Sequence, residues 1–199
     1  MPLRNFSFRN IAIDTFNQAT ESIIFTWKEI ATILGLKQDI YKNPLHRPLS
    51  KPVKAILIGA GNRGNIYADY ALIHPNELNI IGVADQNAVR NGRFARKHNI
   101  AAANRFYNWE DVFARDKFAD AVIIATPDAL HAAPCLRALD AGYDVLLEKP
   151  IALTEADCRL IHEKAKATGR IVGVCHVLRY SPYFKQLKEI ITSGTIGDI

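Results

Sequence analysis

From Lys54 onward the chain alternates between short unbroken apolar runs and longer amphipathic stretches. Residues 55–58 read Ala-Ile-Leu-Ile, a run expected of a strand buried on both faces. A helix is predicted over 64–74, a second buried strand over 79–84 and a second helix over 88–98. A short strand near 104–107 and a helical turn at 109–114 come next. Residues 119–125 form a further apolar run, 128–141 a helix stopping at Gly142, and 143–147 a fifth strand. A helix over 154–168 stops at Gly169, and 171–174 complete the series. Strands alternating with helices of about 10–15 residues predict βαβ units on a parallel sheet. Right-handed crossovers make that a doubly wound α/β sheet.

Both flanks depart from this rhythm. Residues 1–42 form an N-terminal extension with helical periodicity: Phe16, Ala19, Ile23, Ile30 and Leu34 share one face, and Gly35 is a stop. That extension packs on the main domain, binds a partner, or reflects an atypical start of the reading frame. Residues 43–52 hold Pro44, Pro48 and Pro52, which fix φ and disfavour helix, so this stretch is a linker. The sheet is expected over 53–176. Past Arg179, Ser181-Pro182 reads as an N-cap and first helical residue. The helix it opens runs to about Thr192, and a turn at 194–197 follows. Residues 177–199 thus read as the start of a second domain that continues beyond Ile199.

Composition narrows the class. In 199 residues, 49% are hydrophobic and 23% charged, enough apolar residues for a core and too many for general disorder. No apolar run approaches the length of about 18 residues that spans a bilayer, and no signal peptide is evident. The three scattered cysteines point to a reducing, cytoplasmic setting. A net charge of +5 raises the question of nucleic acid, but the basic residues are dispersed and carry no recognition motif.

The first strand runs into Gly59-Ala60-Gly61-Asn62-Arg63-Gly64, a G-x-G-x-x-G loop placed between a strand and a helix. Gly59 permits the tight turn, Gly61 lets a pyrophosphate approach the backbone, and Gly64 lets helix and strand pack closely. The unpaired amides at the helix start favour the diphosphate, and Arg63 adds charge. Asp85 lies 21 residues beyond Gly64, at the end of the second strand, where a carboxylate accepts from the adenosine ribose. Gln86 and Asn87 follow it, with no Arg immediately behind, which favours NAD over NADP.

Three other strand ends carry candidate chemistry. In Ala125-Thr126-Pro127-Asp128-Ala129-Leu130-His131, the turn could pass under the nicotinamide-side ribose, and His131 is either a cofactor neighbour or a surface helix residue. Glu148-Lys149-Pro150 sets a Lys beside a carboxylate at the mouth of the crevice, as a proton donor or acceptor or as a solvated ion pair. Cys175-His176, with Arg179-Tyr180, lines a substrate pocket or joins two domains. The pairs His131/Cys135 and Cys158/His162 have helical i, i+4 spacing. Each offers only two ligands, so no metal site is expected.

Together these motifs resemble the Gfo/Idh/MocA oxidoreductases, relatives of glucose–fructose oxidoreductase and inositol dehydrogenase, over about residues 53–199. The resemblance rests on the glycine loop, Asp85, the 125–131 stretch, Glu148-Lys149-Pro150, and Arg179-Tyr180-Ser181-Pro182 leading to Gly194-Thr195-Ile196-Gly197. It implies an N-terminal Rossmann domain that binds NAD. A C-terminal α/β domain, whose sheet often forms the oligomer interface, supplies further substrate-binding groups. It implies hydride transfer between nicotinamide and a hydroxyl-bearing carbon of a sugar, cyclitol or related polyol. Lys149 would bind substrate and move its proton. Glu148 would lie near the nicotinamide, His131 near the ribose, and His176 against cofactor or substrate. Thr126, Pro127, Asp128 and Lys149 join Gly59, Gly61, Asn62, Arg63, Gly64 and Asp85 as cofactor contacts. A homo-oligomer is expected of the full-length form, and a chain ending at Ile199 would turn over weakly or not at all. A glycosidase working by transient oxidation and a non-catalytic dinucleotide sensor are the alternatives.

Overall fold

The computed structural model describes residues 50–197, so the expectations for the N-terminal extension and most of the linker lie outside the described residues. The chain divides into two units, Pro48–Cys175 and a second whose described part is 176–197.

In the first unit, β1 (Val53–Ile58) leads through α1 (Asn62–Ile73) to β2 (Leu78–Ala84), and α2 (Ala88–Lys97) leads to β3 (Arg105–Phe106). Then come β4 (Ala121–Ile124), α3 (Ala132–Asp140), β5 (Asp144–Leu147), α4 (Glu155–Thr168) and β6 (Val172–Val174). The six strands lie in the order β3-β2-β1-β4-β5-β6, and every pairing is parallel. This is a doubly wound sheet whose order reverses between β1 and β4, so the loops after those two strands open a crevice at the switch point.

Burial follows the alternation of side chains along each strand. Ile56, Ile58, Val122, Ile124, Val145 and Leu147 form one packed face with Cys135, Ala138 and Leu139 of α3 and Ile161 of α4. Leu57 lies toward α1, its methyl carbons close under Gly64. Tyr67, Ala68, Tyr70, Phe94 and Ala95 are buried on α1 and α2. The strand ends thereby become fixed platforms for loops.

Two elements differ in detail from their expectation. The helix anticipated over 128–141 is split: a 3-10 turn, Asp128–Leu130, precedes α3. The cause is local, because the Thr126 hydroxyl donates to Leu130 O at 3.0 Å and the Leu130 N–H donates to Pro127 O at 2.8 Å. The strand near 104–107 shrinks to two residues, Arg105–Phe106. In the second unit, a 3-10 turn (Val177–Tyr180) precedes α5 (Pro182–Thr192). Ser181 occupies the N-cap position and Pro182 follows it, yet the Ser181 side chain makes no capping bond.

Candidate functional site

The loop after β1 is shaped by what its glycines lack. Gly59 has φ +93°, a backbone conformation few side chains tolerate, and a Cβ there would lie 2.6 Å from Ala125 O. A Cβ on Gly64 would lie 2.1 Å from Gly59 O. Gly61 differs from both, since a Cβ there would meet no atom within 4 Å. Open space therefore lies over Gly61, directly at the start of α1. No side chain caps that helix end, so its first N–H groups point outward without an intrahelical acceptor. Asn65 stiffens the loop by donating from Nδ2 to Ala60 O at 3.0 Å and Gly61 O at 2.8 Å. Uncapped amides, a positive dipole end and room above Gly61 fit a diphosphate.

Asp85 closes β2, and its side chain is 3% exposed. Its Oδ2 accepts from the Ala60 N–H at 2.8 Å and its Oδ1 from the Asn87 N–H at 2.8 Å. Arg90 donates to both oxygens, from Nε at 3.1 Å and Nη2 at 2.9 Å. The pair does not show in the residues immediately behind Asp85, Gln86 and Asn87, because Arg90 reaches the acid only through the first turn of α2. A signal was present in Asn87. Its side chain accepts from the Val89 and Arg90 N–H groups and starts α2, which carries Arg90 back over the acid. The Asp85 carboxylate in turn holds the Arg90 guanidinium above its ordinary range.

Across the switch point, two loops are tied to each other. His131 is fully buried, with Nδ1 2.6 Å from Pro150 O and Nε2 3.0 Å from Thr126 O. It thus joins the loop after β4 to the loop after β5. Thr126 is half-buried, while Pro127 and Asp128 are exposed. Glu148 is buried, accepting from the Tyr67 hydroxyl at 3.1 Å and from the Lys149 N–H at 2.6 Å. The Arg63 guanidinium, half-exposed, reaches within 3.6 Å of the same carboxylate. Lys149 is exposed, and the Lys149–Pro150 peptide is cis. Burial, then the adjacent Cys175 and Glu148, raise the Tyr67 phenol well above its usual range, and burial pushes the Cys175 thiol up to about 12. Tyr67 went unnoticed in the sequence because nothing local marks a helix residue that reaches another strand's end.

His176 lies in the second unit, exposed, at the head of the Val177–Tyr180 turn. Among the described residues no group of three or more His, Cys, Asp or Glu could hold a metal ion, and no helix is long and apolar enough to cross a membrane.

A parallel sheet of this order, with a glycine loop and an acid at adjacent strand ends, defines a dinucleotide-binding Rossmann domain. The chain belongs to the Gfo/Idh/MocA family: residues 53–176 match its domain, described as "Oxidoreductase family, NAD-binding Rossmann fold". The inositol 2-dehydrogenase of Salmonella paratyphi B is 33% identical over 146 residues, covering 73% of this chain and 43% of that protein. The D-glucoside 3-dehydrogenase of Escherichia coli is 29% identical over 153 residues, covering 75% and 42%. The crystal structure of the WlbA dehydrogenase from Chromobacterium violaceum, in complex with NADH and UDP-GlcNAcA, has the same fold. It superposes with a TM-score of 0.66 at 21% identity, over 76% of this chain and 43% of that one. The chain thus spans less than half the length of these relatives.

Proposed function

We propose that this chain contributes the NAD-binding half of an oxidoreductase that moves hydride between nicotinamide and a hydroxyl-bearing carbon of a sugar, cyclitol or related polyol. The glycine loop carries this reading. Two of its glycines are closed in by backbone, and the third leaves space over an uncapped helix end. The substrate class is supported by similarity to an inositol 2-dehydrogenase and a D-glucoside 3-dehydrogenase.

Gly61, Asn62, Arg63 and Gly64 hold the diphosphate through the first amides of α1, and Asp85 faces the adenosine ribose. NAD supplies the hydride acceptor when bound. Thr126, Pro127 and Asp128 form the floor on the nicotinamide side, and His131 keeps that floor in register with the 148–150 loop. Glu148 is held from three sides and so fixes the backbone from which Lys149 projects. Lys149 Nζ binds the reacting hydroxyl and takes or returns its proton, a role worth about 10²–10⁴ in rate. His176 contributes a further contact to cofactor or substrate.

The test is calorimetric titration of the full chain with NADH, beside NAD reduction in the presence of myo-inositol or methyl glucoside. Binding is expected. In a form that also carries the substrate-binding half, Lys149→Met is expected to cut turnover by at least about a hundredfold while keeping NADH binding. A folded chain giving no heat at millimolar NADH overturns the reading, and unchanged turnover in Lys149→Met removes the role of the lysine.

A further inference from the structure

Glu148 is a buried anion held mostly by neutral groups. Its carboxylate accepts from the Tyr67 hydroxyl at 3.1 Å and from the Lys149 N–H at 2.6 Å. Cys175, bonded to the same Tyr67 hydroxyl, has its thiol pushed up to about 12 by burial and so adds no charge near neutral pH. Among the described residues the one ion-pair partner of Glu148 is Arg63, and that contact is loose. Nε stands 3.6 Å from Oε1, beyond hydrogen-bond reach, and the arginine side chain is 51% exposed. Solvent screens so open a pair, which makes it weak. An anion withdrawn from water is costly unless its charge is met. Two neutral donors and one loose cation leave part of that charge unmet.

Arg63 stands between two places for an anion. It is the second residue of α1, among the uncapped amides that suit a diphosphate, and its side chain reaches across to the end of β5. A diphosphate offers a guanidinium the bidentate contact that its approach to Glu148 lacks. In a doubly wound sheet a dinucleotide lies across the strand ends at the switch point. With the diphosphate on α1, the nicotinamide end falls toward the β4 and β5 loops, the side of Glu148. The oxidised ring carries a positive charge and the reduced ring carries none. A buried carboxylate nearby separates the two forms, and a cation resting on that carboxylate reduces the separation.

We propose that Glu148 and Arg63 together set the redox preference of the bound nucleotide: the carboxylate favours the oxidised ring, and Arg63 tunes that preference by dividing itself between Glu148 and the diphosphate. The proposal rests on the dinucleotide reading of the glycine loop and deepens it. As Arg63 turns to the diphosphate, Glu148 keeps its Tyr67 and Lys149 donors and its charge faces the ring. Tighter binding of the oxidised form lowers the reduction potential of the bound couple. The site thereby favours the direction in which a carbonyl carbon gains the hydride and its oxygen takes a proton from Lys149.

The experiment is calorimetric titration of the full chain with NAD⁺ and, separately, NADH, for wild type, Glu148→Gln, Arg63→Met and the double variant. Both nucleotides carry the same diphosphate, so the ratio of their dissociation constants cancels that contact and reads the ring alone. Glu148→Gln is expected to move the ratio about tenfold toward NADH, a rise of about 30 mV in the potential of the bound couple. Arg63→Met is expected to weaken both nucleotides at least about threefold and to move the ratio about threefold toward NAD⁺. In the double variant the ratio should match that of Glu148→Gln, because Arg63 acts on the ring only through the carboxylate. Arg63 is half-exposed, so Arg63→Met decides the matter if Glu148→Gln unfolds. A ratio left within about twofold of wild type by either single substitution overturns the proposal but not the dinucleotide reading. Shifts of both in the same direction, or an Arg63 effect that survives without the carboxylate, do the same. Binding of neither nucleotide to folded protein overturns both.

Discussion

On the β1 side of the switch point the strand-end loop is made by leaving side chains out; on the β4–β5 side it is made by burying polar ones. Gly59 and Gly64 are packed so closely by backbone that neither has room for a methyl group. Across the crevice, His131 and Glu148 are both buried, and each is bonded to loop backbone. The first construction exposes amides and suits an anion. The second holds loop carbonyls and a carboxylate in place, which fits the proposal that Lys149 meets a substrate hydroxyl there. The two differ in how they fail. Backbone clashes have no cheap relaxation, whereas a lost strut leaves groups that water can partly satisfy.

The widest predicted separation lies within one loop. Gly64→Ala forces a Cβ to within 2.1 Å of a carbonyl oxygen and is expected to destabilise the domain by on the order of 4 kcal/mol in urea unfolding. Gly61→Ala meets no atom within 4 Å and should change stability by less than about 1 kcal/mol. Its methyl group would stand in the space proposed for the diphosphate, so NADH affinity should fall by about tenfold or more. Equal stability losses at the two positions would show that the loop is not divided into closed and open glycines.

That division was legible in the chain itself, because glycine spacing after an apolar strand encodes backbone geometry directly. The sheet was legible for a similar reason: apolar runs such as 55–58 and 121–124 leave little choice but a doubly covered parallel strand. Arg90 and Tyr67 were not legible. Each acts through a contact set by tertiary placement, Arg90 by the cap at Asn87 and Tyr67 by a helix crossing to a strand end 81 residues away. His131 was visible as a residue, but its occupation by two carbonyls could be seen only once the Thr126 and Pro150 loops were side by side.

A strut on the far side should cost less to remove than a clash on the near side. His131→Leu deletes the ring nitrogens that face Thr126 O and Pro150 O, with an expected loss of about 1–3 kcal/mol in urea unfolding. His131→Asn places an amide near the Nδ1 position and should recover part of that loss. Binding of AMP, which reaches only the adenosine side, should be unaffected by either change. A Leu variant as stable as wild type would mean that these loops hold their places without the ring.

The smallest effect is expected where the two constructions meet. Tyr67 belongs to α1, the helix that starts at the glycine loop, and its hydroxyl donates to Glu148 at the far strand end. Tyr67→Phe removes that donor but keeps the ring, and Glu148 retains the Lys149 N–H and the nearby Arg63 guanidinium. The loss should be about 1 kcal/mol, a fall in Tm of about 2–4 °C for a chain of this size. Because burial together with Cys175 and Glu148 keeps the phenol protonated, the donor is present in both the folded and the unfolded chain across the neutral range. Neither state gains or loses a phenolic proton there, so the difference between wild type and variant should stay flat from about pH 6 to pH 9. A difference that grew as pH rose through that interval would mean that the phenol ionises in place, which a donor bonded to a buried carboxylate cannot do, and the Tyr67–Glu148 link would fall.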